Sequence, residues 1–125
     1  MALTTAGINF LSQAAIGQGT AFDHNNAHLG VGNGTTAFAA SQIDLQGANK
    51  VRKAMDAGYP TVTAPVVTFK ATYGQNDANF AWNEWGVFNA STGGVMLNRV
   101  VEGNGTKQNN QTWVLEVAIT FTLGN

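Results

Sequence analysis

The stretch from residue 80 to residue 88, Phe-Ala-Trp-Asn-Glu-Trp-Gly-Val-Phe, holds four large aromatic residues and one acid. Alternate residues of a strand point to opposite faces, so Trp82 and Glu84 would share one face and Trp85 would lie on the other. Both faces then carry bulky apolar groups, and such a strand must be covered on both sides, by a second layer or by another subunit. We therefore predict a structural core strand whose main residues are Phe80, Trp82, Glu84, Trp85, Gly86 and Phe88.

Other segments alternate between apolar and polar residues, as half-buried strands do. Residues 113–123 carry an apolar residue at every odd position, and residues 67–73 do the same. Shorter strands are predicted at residues 27–32, 50–57 and 95–102, and the charged residues of the second segment indicate an edge strand. Turns rich in Gly and Asn separate these segments, which favours antiparallel connections.

The N-terminal segment has a different period. Ile8, Leu11 and Ala15 recur at helical spacing, Thr4 or Thr5 can cap the first turn, and a glycine follows residue 16. This pattern predicts a helix over residues 5–16. A further helical turn is expected at residues 41–45. The chain is thus predicted to be mainly β, an antiparallel β-sandwich or flattened barrel with a short N-terminal helix, in one domain spanning residues 1–125.

Charge and cysteine content restrict the function. Charged residues make up 10% of the chain, under half the usual share, and the net charge is −1. Six Lys and Arg residues do not make a nucleic-acid footprint, and weak charge repulsion favours self-association. The absence of cysteine excludes disulfides and thiolate ligands. The N-terminus lacks the pattern of a signal peptide and no segment reaches membrane-spanning length, so we expect synthesis in the cytosol and no membrane partner.

Few residues suggest chemistry. His24 and His28 are four apart beside Asp23, a spacing that could bind a metal on a helix, but the surrounding Asn- and Gly-rich sequence favours a loop. Glu84 is the acid most expected to be buried, and a catalytic acid would need a second carboxylate or a base nearby. The favoured interpretation is a structural acid that accepts hydrogen bonds from backbone N–H groups or forms an ion pair with Arg99 on the next strand. We predict no catalytic residues, no cofactor and no metal site.

A carbohydrate-binding module is a remoter alternative. Trp82 or Trp85 could stack on a sugar, beside amide side chains that could bind its hydroxyl groups. Those amides are Asn83, Gln108, Asn109 and Asn110. The same tryptophans are better used in a core, which makes this alternative the weaker one.

Four segments together resemble a group of small virion proteins of tailed bacteriophages. They are residues 67–73, residues 79–89 with Glu-Trp-Gly-Val-Phe, residues 94–99 with Met-Leu-Asn-Arg, and residues 112–115 with Thr-Trp-Val-Leu. The likeness extends to residues 3–7 and 29–32, and so covers most of the chain. More distantly, the Glu-x-Gly-x-Phe pattern is similar to N-terminal domains of phage tail-collar fibre proteins.

The resemblance implies a non-enzymatic structural protein located in the virion and assembled in the host cytoplasm. The favoured role is a capsid decoration, or cement, protein that binds and stabilises the assembled shell through contacts with the major capsid protein. The alternative is a tail-associated protein of the collar, baseplate or fibre adaptor, with tail proteins as partners. On symmetric particles we expect a homo-oligomer, for which a trimer is the favoured state.

Overall fold

A computed structural model describes residues 2–123 of the chain. Over this range the chain forms one α-helix and seven β-strands. In order they are α1 (Thr5–Ala14), β1 (His28–Gly32), β2 (Lys50–Ala54), β3 (Thr61–Thr63), β4 (Val66–Tyr73), β5 (Glu84–Phe88), β6 (Met96–Val101) and β7 (Trp113–Thr120).

The strands form two antiparallel sheets. One has four strands in the order β2-β1-β5-β6, and the other has three in the order β3-β4-β7. A shared core fills the space between them, with side chains from both sheets in one cluster. The predicted fold class, an antiparallel β-sandwich with a short N-terminal helix, is therefore confirmed.

Alternation along the strands produces this core. In β4 and β7 the odd-numbered residues face the four-stranded sheet, whereas the even-numbered residues of β7 are exposed. Branched and aromatic residues at the inward positions bury the apolar area that stabilises a sandwich. The most deeply buried inward residues include Leu29, Val31, Val87, Phe69, Ala71, Tyr73, Val117 and Ile119.

The predicted core strand at residues 80–88 is shorter than expected, because β5 begins at Glu84. Residues before it pair with a different segment: the Trp82 N–H donates to the carbonyl of Gly105, and the Lys107 N–H donates to that of Phe80. The chain therefore changes direction before the strand starts. Trp82 lies in the core between the sheets, and Glu84 lies on the outer face of the four-stranded sheet, so the prediction that they share a face was wrong.

Helix α1 is capped as predicted but buries a different side. The Thr4 hydroxyl accepts a hydrogen bond from the Gly7 N–H at 2.9 Å, and the helix ends two residues earlier than expected. Gly7 and Phe10 face the body of the protein, whereas Ile8 is 53% exposed. A side chain at Gly7 would overlap the Leu97 carbonyl, so this glycine sets the close approach of α1 to β6 and with it the rotation of the helix.

Three further details differ from the sequence-based expectations. Residues 41–45 form no helical turn, because the backbone beside them is bound to side chains of the four-stranded sheet. β3, three residues long, was not predicted. β7 ends at Thr120 because its partner strand begins next to Pro65, and Leu123 is 99% exposed. The predicted edge strand at residues 50–57 is present as β2.

The close approach of α1 to β6 can be tested with Gly7→Ala. The overlap with the backbone should cost about 2 kcal/mol, and the better helix propensity of alanine should offset about 1 kcal/mol of it. We expect the free energy of unfolding in urea to fall by about 1 kcal/mol. Asn9→Ala, at an exposed position of the same helix, should instead be neutral or stabilising. A stabilised Gly7→Ala variant would show that the helix is not packed in this way.

Candidate functional site

Glu84 lies at the centre of a buried polar site on the outer face of the four-stranded sheet. Glycine at positions 30, 32 and 86 leaves room there, and a side chain at Gly32 would overlap the Glu84 carboxylate. Residues 33–49 cross this face as a loop and cover it. The space left by the glycines lets the loop backbone approach the sheet closely enough to bind the carboxylate.

The carboxylate of Glu84 accepts four hydrogen bonds. Oε1 accepts from the Gln46 N–H at 2.8 Å and from Arg99 Nε at 2.7 Å. Oε2 accepts from the N–H groups of Gly34 at 2.9 Å and Gly47 at 2.7 Å. Three of the four donors are backbone groups of the loop, so the carboxylate holds both ends of the loop against the sheet.

Arg99 extends the same network. Its side chain and that of Glu84 are both 0% exposed. Nη1 donates to the Thr36 carbonyl at 2.9 Å and to Gln42 Oε1 at 3.1 Å, which fixes the middle of the loop. The predicted ion pair is thus present, but the two residues are not directly opposite. Gly86 faces Arg99 in the ladder, and Glu84 reaches it diagonally, because the turn and a register shift next to Phe88 set the alignment of β5 and β6.

The charged form of Glu84 is stabilised in the folded chain. Burial alone would raise the pKa of the Glu84 carboxyl, but the hydrogen bonds from Gln46, Arg99, Gly47 and Gly34 outweigh it and hold the pKa below its ordinary value. A carboxylate whose oxygens are all occupied by internal donors is well suited to fixing a loop. This loop-fixing role explains why an acid lies in a segment that is rich in aromatic residues and has no other charge.

A second network, which sequence reasoning missed, lies at the edge of the same face. Arg52 Nη1 donates to the carbonyls of Ala90 and Gly93, both at 2.9 Å, and its guanidinium lies 3.6 Å from the ring centre of Phe88. Asp44 accepts from Arg52 Nη2 at 3.3 Å and from Lys50 at 3.0 Å. These contacts connect the β5–β6 turn to the covering loop. The charge on β2 was visible in the sequence, but its partners, about 40 residues further on, were not.

Lys107 and Tyr73 are two further buried polar residues that the sequence did not indicate. Lys107 Nζ donates to the Gly74 carbonyl at 2.6 Å and to Asn79 Oδ1 at 2.8 Å. The Tyr73 hydroxyl donates to the Leu29 carbonyl at 2.6 Å, and burial raises the pKa of Tyr73. The polar end of each side chain is thus hydrogen-bonded to a backbone carbonyl within the fold, as buried polar groups usually are.

The Nδ1 atoms of the two histidines each contact a backbone carbonyl oxygen. His24 lies in a turn with Nδ1 2.6 Å from the Tyr59 carbonyl oxygen, and His28 begins β1 with Nδ1 2.8 Å from that of Asn26. Asp23 accepts from the backbone and side chain of Asn26 instead. Within residues 2–123, no three His, Asp or Glu side chains come together as a possible metal group.

The aromatic residues considered for sugar binding are used internally. Trp82 is 3% exposed and makes edge-to-face contacts with Tyr73 and Trp113, with ring centres 4.8 Å and 5.0 Å apart. Trp85 is half-buried and donates through Nε1 to Glu102 at 3.0 Å. The Asn83 amide donates to the Asn33 carbonyl at 3.2 Å, whereas Gln108, Asn109 and Asn110 are exposed in a loop. With 3% of its surface exposed, Trp82 offers little area on which a sugar could stack.

A cavity of about 520 Å³ lies between α1, the loop that follows it and the β5–β6 turn. Its lining is mixed, with Phe10, Gln13, Thr20, Asn26, His28 and Asn89 among the residues that face it. The cavity is open to the surface, and Glu84 and the groups that donate to its carboxylate lie outside its lining.

Comparison with known proteins does not extend this picture. The chain matches no protein-family profile, no curated protein and no solved structure. In the described part of the chain, the ten residues of α1 are too few for a helix to cross a bilayer.

The buried carboxylate is expected to dominate stability. Glu84→Ala would leave Arg99 and three backbone N–H groups without their acceptor, so the free energy of unfolding should fall by about 3 kcal/mol or more. Asn109→Ala, which removes an exposed amide from the loop before β7, should change it by less than about 0.5 kcal/mol. Urea denaturation measures both. Equal effects of the two substitutions would contradict the central role of Glu84.

The same site predicts a pH dependence. The pKa of Glu84 is lower in the folded chain than its ordinary value of 4.5, so its stabilising contribution is full above that value. The contribution is lost as the pH falls through the folded-state pKa, because protonation removes the charge that binds Arg99. The stability difference between the wild type and Glu84→Gln should therefore stay constant from pH 7 down to the ordinary value of 4.5 and shrink below it. A difference that is constant or grows at low pH would show that Glu84 is not ionised in the folded state.

Proposed function

We propose that this chain is a non-enzymatic structural protein of a bacteriophage virion, and more specifically a capsid decoration protein that binds and stabilises the assembled shell. The observation that carries the proposal is that residues of the resembling segments build the interior of the four-stranded sheet. Glu-Trp-Gly-Val-Phe and Met-Leu-Asn-Arg, the segments that resemble phage virion proteins, form β5 and β6 and supply both members of the buried ion pair.

Each polar or glycine position of these segments has a role inside the fold. Glu84 and Arg99 fix the covering loop, and a side chain at Gly86 would overlap the Asn98 carbonyl. The Asn98 side chain accepts a hydrogen bond from the Val87 N–H at 3.2 Å, beside the register shift. Residues at such positions are constrained by the fold. A resemblance there supports the proposal more strongly than an equal number of matching surface residues would.

The surface also supports a role in assembly. With 10% charged residues, the chain exposes neutral polar loops and several large apolar side chains, a composition suited to contact with neighbouring subunits. A decoration protein does not need a strong single contact, because many copies on a regular shell add their weak interactions. The exposed apolar residues include Ile8, Ile16, Ile43, Val62, Val114, Phe121 and Leu123.

Capsid binding provides the test. Purified protein mixed with assembled capsids that lack it should sediment with them, at a copy number on the order of hundreds, since a symmetric shell repeats its binding sites. Binding to the assembled state should also raise the melting temperature of the capsid. Capsids from complete virions, whose sites are already filled, are the matched control and should bind no additional protein.

A tail-associated role is the second candidate, because the Glu-x-Gly-x-Phe pattern is also similar to tail-collar fibre domains. In that case, empty capsids would bind nothing, and immunogold labelling would mark the tail or its baseplate, with a small number of copies per particle. Absence of the protein from purified virions would contradict both roles.

A further inference from the structure

Strand β7 is the edge strand of the three-stranded sheet, and one side of it is open. Among residues 2–123 it pairs with β4 alone, over eight consecutive residue pairs. The Phe121 N–H donates to the Pro65 carbonyl at 3.0 Å, which continues the same register. Because hydrogen-bonded pairs alternate in an antiparallel ladder, the odd residues of β7 bond to β4. The N–H and C=O groups of the even residues 114–120 therefore point away from the sheet.

The other three edges of the sandwich are protected. β2 carries Lys50, Arg52 and Lys53, and charged side chains on an edge oppose the docking of a strand. β3 is three residues long and lies between Pro60 and Pro65. The first part of β6 is covered by the N-terminal segment, which pairs at Asn98 and in which the Thr4 N–H donates to the Leu97 carbonyl at 3.0 Å. Short length, proline, charge and a covering segment are the usual means of blocking an edge.

β7 has none of these protections. Its sequence, Trp-Val-Leu-Glu-Val-Ala-Ile-Thr, contains no proline, no lysine and one acid, and its pairing with β4 shows no register shift. The even residues on its outer face are exposed, Val114 to 52%. A long, regular and weakly charged edge of this kind is a template for an added strand.

We propose that β7 pairs antiparallel with β7 of a second copy of this chain about a twofold axis at Val117, which joins the two three-stranded sheets into one. Four N–H groups from each copy would then find acceptors, which makes about eight hydrogen bonds. The pairing is isologous, so it closes at two copies and leaves no open edge.

Strand overlap and two further constraints select this register. β7 runs from Trp113 to Thr120, so a twofold axis at Glu116 or Val117, beside its midpoint, pairs the most residues. Residues opposite each other in a ladder share a face, so only registers that pair even residues with even ones keep the inward side chains inward. A twofold axis at Glu116 satisfies this rule but places the two Glu116 carboxylates opposite each other, which is unfavourable. An axis at Val117 places Glu116 opposite Ala118 and Val114 opposite Thr120.

The second copy would also fill an open cleft. A cavity of about 440 Å³ lies beside the first half of β7, lined by Trp82, Trp113, Leu115 and Glu102 among others. In the register about Val117, Phe121 of the second copy comes opposite Trp113 on the inward face. Phe121 is exposed in the single chain, so the pairing covers an apolar ring at each end of the interface.

This inference concerns the free protein and does not depend on capsid binding. It selects a twofold dimer, whereas the resemblance to virion proteins led to the expectation of a trimer. The mass in solution separates the two. Sedimentation equilibrium of the purified chain should give twice its 13.1 kDa, and a monomer at all concentrations up to the millimolar range, or a trimer, would overturn the proposal.

Disulfide trapping tests the axis. Residues at a non-hydrogen-bonded position on a twofold axis have Cα atoms about 4.5 Å apart, within the range of a disulfide. The chain has no cysteine of its own. Val117→Cys should therefore oxidise to a covalent dimer, whereas Val114→Cys, whose two copies would be about 20 Å apart, should not. The reverse pattern, or no crosslink in either variant, would rule out this axis.

Opposite charges at one position give a matched test of the register. Ala118→Glu places a carboxylate opposite Glu116 of the second copy twice per dimer and should weaken dimerisation about tenfold or more. Ala118→Lys places an ammonium at the same exposed position and should leave the dimer intact or tighten it. Circular dichroism checks that both variants are folded. If the two variants dimerise with equal affinity in low salt, the proposed register is wrong. If both dimerise as well as the wild type, the dimer forms through another surface.

Discussion

The buried carboxylate of Glu84 is the interaction on which the outer layer of the fold depends. Burying a charge is costly unless it is paired and hydrogen-bonded. Here Arg99 and three backbone N–H groups supply the compensation, and all three N–H groups belong to the loop of residues 33–49. The loop has no regular secondary structure of its own, so its position on the sheet follows from where the carboxylate lies. The glycines of β1 and β5 contribute by leaving the space that this contact needs.

The two sheets consequently differ in their surroundings. The four-stranded sheet lies between the second sheet and the loop, so its strands are covered on both faces. The three-stranded sheet has one covered face, and the outer side of β7 is exposed. The outer face of the four-stranded sheet around Glu84 is thus covered by the loop, whereas the edge strand β7 has one unpaired side. Contacts with other chains are more readily formed at the open edge than at the closed face.

This asymmetry connects the two proposals. The resemblance to virion proteins concerns residues that build the interior, and it suggests what kind of protein this is without indicating which surface meets a partner. The unprotected edge of β7 was found independently, from strand order and hydrogen-bond alternation. A paired β7 would make the repeating unit a dimer with a continuous sheet, and such a unit would present each remaining surface twice. Multivalent attachment to a symmetric particle benefits from that arrangement.

The sequence by itself determined the features that arise from local pattern. Strict alternation predicted β4 and β7. A capping threonine, followed by apolar residues at helical spacing up to a glycine, predicted α1. The charge of residues 50–53 predicted an edge strand. The pairing of Glu84 with Arg99 was also accessible, because the two residues lie on consecutive strands joined by one turn. Only the tertiary structure decided that the chain turns before Glu84 and that Lys107 donates a hydrogen bond to the Gly74 carbonyl. It also decided that residues 33–49 surround a carboxylate, and which edge strand is left unpaired. These depend on strand order and on contacts between residues far apart in the chain, which no local period encodes.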